Sequence, residues 1–203
     1  MPRGRPRAYD PAAAQAALAA EFRHQGFAAA SLDDLSRATG LARPSLYAGF
    51  GDKQAMYLRS LADLDRFVAS ALPPLLERQA DVVDAVAALF DAATCLYLTG
   101  RDGPEGCLAL CTAPAEAATD PAIRHALAKV IATIDSLLAD RLARAVQDGQ
   151  LAAGTDVDAL GAALAAIQHS LAVRARAGAD RASLDRLTGA ALDLLRRAVS
   201  SPA

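Results

Sequence analysis

Apolar residues recur along this chain at intervals of three and four, the period of an amphipathic helix, and capping residues mark where each run starts and stops. Asp10 followed by Pro11 opens the first run, which carries Ala14, Ala17, Leu18 and Phe22 and closes at Gly26. Ser31, with Asp34 three residues on, is a variant of the capping box and opens a second helix that stops at Gly40. Pro44 fits only a first helical turn, which places a short third helix over 43–49. A fourth is predicted over 53–71, after the break at Gly51 and Asp52 and before Pro73 and Pro74. The pattern then predicts helices over 81–99, 107–117 (interrupted by Pro114), 121 to nearly 149, 156–177 and 180–199, with a loop at 100–106. The fold class is all-α, with about nine helices.

Composition supports that reading. Of 203 residues, 52 are Ala and 29 Leu, the two strong helix formers, while aromatics make up only 4% and Trp is absent. This excludes a β-sandwich or barrel, and 53% hydrophobic residues excludes a disordered chain. The longest uncharged run, 159–173, is shorter than the ~18 residues a membrane span needs and contains Gln168 and His169, so no membrane partner is expected. The start MPRGRPRAYD lacks an apolar stretch after its basic residues, which predicts no signal peptide. Three cysteines in a chain with a large core point to a reducing, cytoplasmic compartment.

The net charge of -2 hides an uneven distribution. Residues 1–60 carry an excess of three positive charges and the remainder an excess of five negative ones. Arg3, Arg5 and Arg7, interleaved with Pro and Gly, form a cationic arm over 1–9. One end of the molecule is therefore suited to a polyanion and the other is not.

The segment 32–51 carries the most information. With Gly40 as the turn residue, Leu35, Leu41 and Leu46 take the inward positions of two short helices crossing at a steep angle, and Ser36 supplies the small side chain their close approach requires. The second of these helices then exposes Arg43, Ser45, Tyr47 and Ala48, as a recognition helix entering the major groove would. An arginine there can pair with guanine, and Tyr47 and Ser45 can reach phosphates or base edges. Lys53, in the first turn of the next helix, is placed for a phosphate.

The run TGLARPSLYAGFGDKQAMYLRSL, with SLDDLSRA before it and the GRPRAYD arm, resembles the TetR (tetracycline-repressor-like) family of bacterial transcriptional regulators. Gly40, Leu41, Leu46, Tyr47, Phe50 and Lys53 carry the match, after Phe27 and Ser31, and it covers about residues 8–62. The resemblance implies that Tyr47 and Lys53 contact phosphates, that Ser31 caps its helix near the backbone and that Arg43, Pro44, Ser45, Tyr47 and Ala48 form the base-reading set. It assigns Arg3, Arg5 and Arg7 to the minor groove. Two positions depart from the usual pattern: Gly49 stands where many members carry His, and Pro44 where many carry a small or basic residue. In layout the remainder also resembles the family, which implies homodimerisation through the last two helices and a pocket for a small-molecule effector. Ala162, Ala165, Ala166 and His169, with Leu184, Leu187, Leu192 and Leu195, are the candidate dimer residues. Phe90, Thr94, Leu98, Cys107, Leu110, Cys111 and His169 are the candidate pocket residues.

No catalytic set emerges. Ser170 follows His169, but neighbours on a helix point apart, and glycine-rich phosphate loops and paired metal-ligand motifs are absent, so the reading includes no enzyme activity, cofactor or metal. Cys107 and Cys111 share a helix face, with Cys95 on the preceding helix, which leaves open a thiol- or metal-sensing variant. The expectation is a bacterial, nucleoid-associated repressor that binds double-stranded operator DNA as a homodimer and is released by an effector. Its parts would be the arm at 1–9, the reading head at 10–60 and a ligand-binding and dimerisation body at 61–203. The alternative is a helical ligand-binding or interaction protein that no longer reads DNA, suggested by Gly49.

Overall fold

A computed structural model describes residues 9–199 of the chain. Ten α-helices follow in order among them: α1 (Pro11–Gln25), α2 (Leu32–Thr39), α3 (Arg43–Phe50), α4 (Lys53–Glu77), α5 (Val82–Tyr97), α6 (Leu108–Thr112), α7 (Pro114–Ala117), α8 (Pro121–Gln147), α9 (Val157–Arg176) and α10 (Arg181–Val199). The caps are those the sequence signals. Asp10, Asp52, Asp81, Asp120 and Asp156 each accept a hydrogen bond from a backbone amide in the first turn of the helix that follows. The Ser31–Asp34 capping box is complete in both directions.

The first three helices close over Leu18, Phe22, Leu35 and Leu46, none of which is exposed. Tyr57 of α4 joins them, edge-on to Phe22 with centroids 5.1 Å apart. The head is thereby seated on the start of α4. The rest of α4 lies along α8, where buried Asp65 accepts from Thr133 at 2.6 Å and pairs with Lys129 at 2.9 Å. The α9 helix packs against α8, and α5 lies against α4, α9 and α10. Gly161 makes the α8–α9 approach possible: a Cβ there would sit 3.0 Å from the Ala139 backbone nitrogen.

Two features differ from the expected pattern. The α4 helix does not end before Pro73 and Pro74; it runs through both to Glu77. Prolines remove amide donors and crowd the preceding turn. Here Leu76 beyond them is 2% exposed, and the same turn is clasped by Arg141, which donates to the carbonyls of Leu76, Gln79 and Ala80 at 3.0–3.2 Å. Tertiary packing and a cation at a helix C-terminus outweigh the local breaker. The segment expected as one interrupted helix over 107–117 is two short helices, because Pro114 takes the first position of α7 and restarts the chain there.

Candidate nucleic-acid interface and ligand cavity

Gly40 ends α2 in the left-handed conformation, φ 67° and ψ 12°, which turns the chain into α3. Thr39 ties the turn together: its hydroxyl donates to the Leu35 carbonyl at 2.7 Å and accepts from the Leu41 amide at 3.3 Å. Leu46 and Phe50 face inward from α3, and Arg43, Pro44, Ser45, Tyr47 and Ala48 are exposed. Arg43 is not free, since its guanidinium meets Asp33 Oδ1 of α2 at 2.6 Å, a bond that raises its pKa further above the ordinary value. The Lys53 ammonium lies 4.7 Å from the centre of the Phe27 ring and donates to the Ala28 carbonyl at 3.3 Å. Ser31 is occupied by its capping box. A Cβ at Gly49 would fall 2.3 Å from the Tyr9 hydroxyl, the tip of a side chain that would have to swing aside. Arg3, Arg5 and Arg7 lie outside the described residues.

A cavity of about 230 Å³ opens between α4, α5, α8 and α9. Leu64, Phe67 and Leu72 of α4 form one side, with Leu89 of α5 and Ile134 of α8. Among its described lining residues none is charged; the polar groups are Tyr97, Cys107 and Gln168. Gln168 Nε2 donates to the Tyr97 hydroxyl at 2.8 Å, and Gln168 Oε1 is buried without a partner among the described residues.

The chain's two parts match two family patterns: one described as bacterial regulatory proteins of the tetR family, over residues 16–59, and one described as the tetracyclin repressor-like C-terminal domain, over residues 82–191. The HTH-type transcriptional repressor ComR of Escherichia coli K12 is 34% identical over 200 residues, covering 95% of this chain and 91% of ComR. The chain belongs to the TetR family. Among solved structures of the family, a cysteine variant of the regulator CifR, complexed with a 26-base-pair double-strand operator DNA, superposes with a TM-score of 0.82 at 29% identity, covering 93% of this chain and 98% of CifR. Reduced E. coli NemR shares the fold at 18% identity, with a TM-score of 0.78 over 95% of this chain and 98% of NemR.

In this TetR-family chain the structure gathers the head residues onto one outward surface and disperses the others. Of the candidate pocket residues, only Cys107 lines the cavity. Phe90, Thr94 and Leu110 are buried elsewhere in the core, and Leu98, Cys111 and His169 are half-buried outside the cavity wall. Of the candidate dimer residues, Ala165, Leu184, Leu192 and Leu195 turn into the protomer's own core, while Ala162 and Ala166 face outward and Leu187 and His169 are half-buried. Val173 on α9 and Leu194 on α10, 53% and 65% exposed, continue those outward stripes at helical spacing.

Burial pushes the thiols of Cys107 and Cys111 up, which keeps them protonated, and burial lowers His169 below the ordinary imidazole range. Cys95 is exposed and accepts from Arg181 at 3.3 Å. Among the described residues no group of three or more His, Cys, Asp or Glu side chains could hold a metal ion, and no helix is long and apolar enough to cross a membrane.

The residues that join head to body carry no local signal in the sequence. Arg176 of α9 donates to the carbonyls of Arg23, His24 and Glu105 at 2.7–3.0 Å, while the His24 ring bonds Glu105 at 2.8 Å. These pairs span up to 153 positions, beyond any local pattern. Gln168 did leave a signal, as one of three consecutive polar residues, with His169 and Ser170, inside the uncharged 159–173 run.

Proposed function

We propose that this chain is a transcriptional repressor that binds a pseudo-palindromic operator as a homodimer and is released when a small molecule occupies the cavity. The observation that carries the reading is the α3 surface: five residues, Arg43, Pro44, Ser45, Tyr47 and Ala48, are exposed to solvent, Arg43 while paired with Asp33, on a helix delivered by a left-handed glycine turn. A helix so presented enters the major groove with its N-terminal residues at the base edges. Arg43 reads a guanine, Tyr47 and Lys53 hold phosphates, and Arg3, Arg5 and Arg7 reach the adjacent minor groove. The relative CifR, complexed with operator DNA, supports this use of the shared fold.

The division of labour is an arm at 1–9, a head at 10–60 and a body at 61–203. The outward stripes of α9 and α10, including Ala162, Ala166, Leu187 and Leu194, pair two copies about a twofold axis, which spaces the two α3 helices by about one turn of DNA or a multiple of it. The α4 helix carries the signal, because Leu64, Phe67 and Leu72 line the cavity while Tyr57 seats the head. A ligand that favours one spacing of the heads shifts the population toward it. The protein works in the bacterial cytoplasm on the nucleoid, as a regulator rather than a catalyst.

The test is binding of the purified protein to its own promoter fragment and to random DNA at several salt concentrations. Arg43→Ala should weaken promoter binding roughly ten- to a hundred-fold and relax preference at one base pair. Equal affinity for promoter and random DNA, unaffected by Arg43→Ala, defeats the proposal. It would favour a ligand-binding protein that does not read DNA.

A further inference from the structure

The cavity's wall says what kind of molecule it takes. It has no charged side chain among its described lining residues, and nothing there would compensate the desolvation of an ion. Its volume, about 230 Å³, is about one and a half times that of an engineered ~150 Å³ apolar cavity that holds benzene, which scales to roughly nine or ten non-hydrogen atoms.

Its polar groups are more specific. Gln168, from α9, is 5% exposed and Tyr97, from α5, is 3% exposed. Gln168 Nε2 donates to the Tyr97 hydroxyl, Tyr97 keeps its own proton to donate, and Gln168 Oε1 is an unused acceptor. Burial raises the Tyr97 phenol well above its ordinary pKa, so that proton stays on. A buried carboxamide oxygen without a donor is a standing cost of folding. If the amide is turned over, Tyr97 donates to Oε1 and the NH2 group becomes the unused partner. A hydroxyl both donates and accepts, so it satisfies either arrangement; an ether or ketone satisfies only one and a hydrocarbon neither.

We propose that the ligand is an uncharged, mostly apolar molecule of about this size that carries one hydroxyl, seated with the hydroxyl at Gln168 and Tyr97 and its body against Leu64, Phe67 and Leu72 of α4. The assignment rests on the repressor reading above, because it takes the cavity as the effector site. It adds that α9 and α5 recognise the polar end while α4, the helix that seats the head, feels only the apolar body.

The experiment is calorimetric binding of four probes that share one naphthalene ring system to the full-length protein: 2-naphthol, 2-methoxynaphthalene, naphthalene and 2-naphthoate. The expected order places 2-naphthol about tenfold tighter than 2-methoxynaphthalene and naphthalene, with no binding of the anionic naphthoate. Gln168→Met, of similar volume, should bring 2-naphthol down to the affinity of naphthalene and leave naphthalene where it was. Equal binding of 2-naphthol and naphthalene to the unaltered protein overturns the proposal. So does tightest binding of the naphthoate, or no binding of any probe; none of these results depends on a variant folding. Promoter affinity is measured in parallel with and without saturating 2-naphthol. Discrimination among probes with no change in promoter affinity leaves the ligand class standing and defeats the effector reading instead.

Discussion

Arg23 on α1 donates through Nε to the carbonyl of Gly106 at 2.9 Å, binding the DNA-reading head to the loop that borders the cavity. The same guanidinium reaches the carbonyls of Leu96 and Thr99 at 2.7 and 2.8 Å. Leu96 and Cys107, on either side of this loop, both line the cavity. Gly106 is held in the left-handed region, φ 65°, and a Cβ there would fall 2.5 Å from the Ala172 carbonyl oxygen, so α9 fixes the loop from its other side. One side chain thus ties the position of α1 to the cavity's edge, by a route separate from α4.

Arg23→Met should therefore do two things. It removes a charged donor from three carbonyls, of which Leu96 and Thr99 keep other donors while Gly106 loses its own, and stability should fall by about 1 kcal/mol in denaturant unfolding. The effect of a cavity ligand on promoter affinity should also shrink. An unchanged unfolding midpoint together with an unchanged ligand response would show that the clasp is incidental.

In the proposed operator complex Asp33 would compete with DNA for Arg43. Their ion pair joins two exposed side chains, so it contributes little to stability. Asp33→Asn should leave thermal unfolding within error, raise operator affinity several-fold and steepen its salt dependence, since one repelling charge is removed from the docking face. Weaker operator binding by this variant would mean that Asp33 instead holds Arg43 in its reading position.

Glycine inside a helix costs roughly 0.5–1 kcal/mol relative to alanine, so Gly49→Ala ought to stabilise α3. The Tyr9 hydroxyl occupies the space that the new Cβ would take. Gly49→Ala alone is expected to gain nothing, and the gain should reappear when Tyr9→Ala is made as well. A double-mutant cycle by chemical denaturation measures this coupling, and strict additivity would exclude it.

The α4–α8 junction sets an acid limb. Burial pushes the Asp65 carboxyl up, but bonds from Thr133 and Lys129 more than reverse this and leave it below the ordinary value of 3.8. A carboxylate lowered by folding stabilises the fold above its unfolded pKa, and that contribution disappears as pH falls through the folded value. Stability should decline below about pH 4, and Asp65→Asn should flatten the decline. The lowered carboxyls of Glu21 and Glu105 act in the same direction, so some acid dependence survives the substitution. An identical acid limb in the variant would remove Asp65 from the account.

The head was legible in the chain because its determinants are short-range. Gly40, Leu35, Leu46 and Pro44 lie within a dozen positions of one another, and each constrains the backbone or one face of a short helix. Cavity and dimer faces obey no such rule. The cavity is assembled from four helices, and of the residues expected there only Cys107 has a neighbour across it. Small residues on α9 share a helical spacing, yet Gly161 serves the close approach to α8 and Ala165 is buried, while Ala162 and Ala166 are turned to solvent. Periodicity marks which residues are apolar or small, but not which neighbour they meet. The proline pair shows the converse, a correct local rule overruled by Arg141, 65 positions from the turn it clasps, and by the burial of Leu76.

That pair also gives α4 two unlike ends. Neither Pro73 nor Pro74 can supply an amide, so two of the hydrogen bonds that would lace this turn to the one before it are missing. Leu72 and Leu75, which flank the prolines, are both part of the cavity wall. Toward its start α4 is fully laced and tied down by Asp65 and Tyr57. For the proposed effector the wall would act like a reed that is stiff around Leu64 and Phe67 and short of two rungs near its tip, so that a guest would move the reading heads only by leaning on the stiff portion.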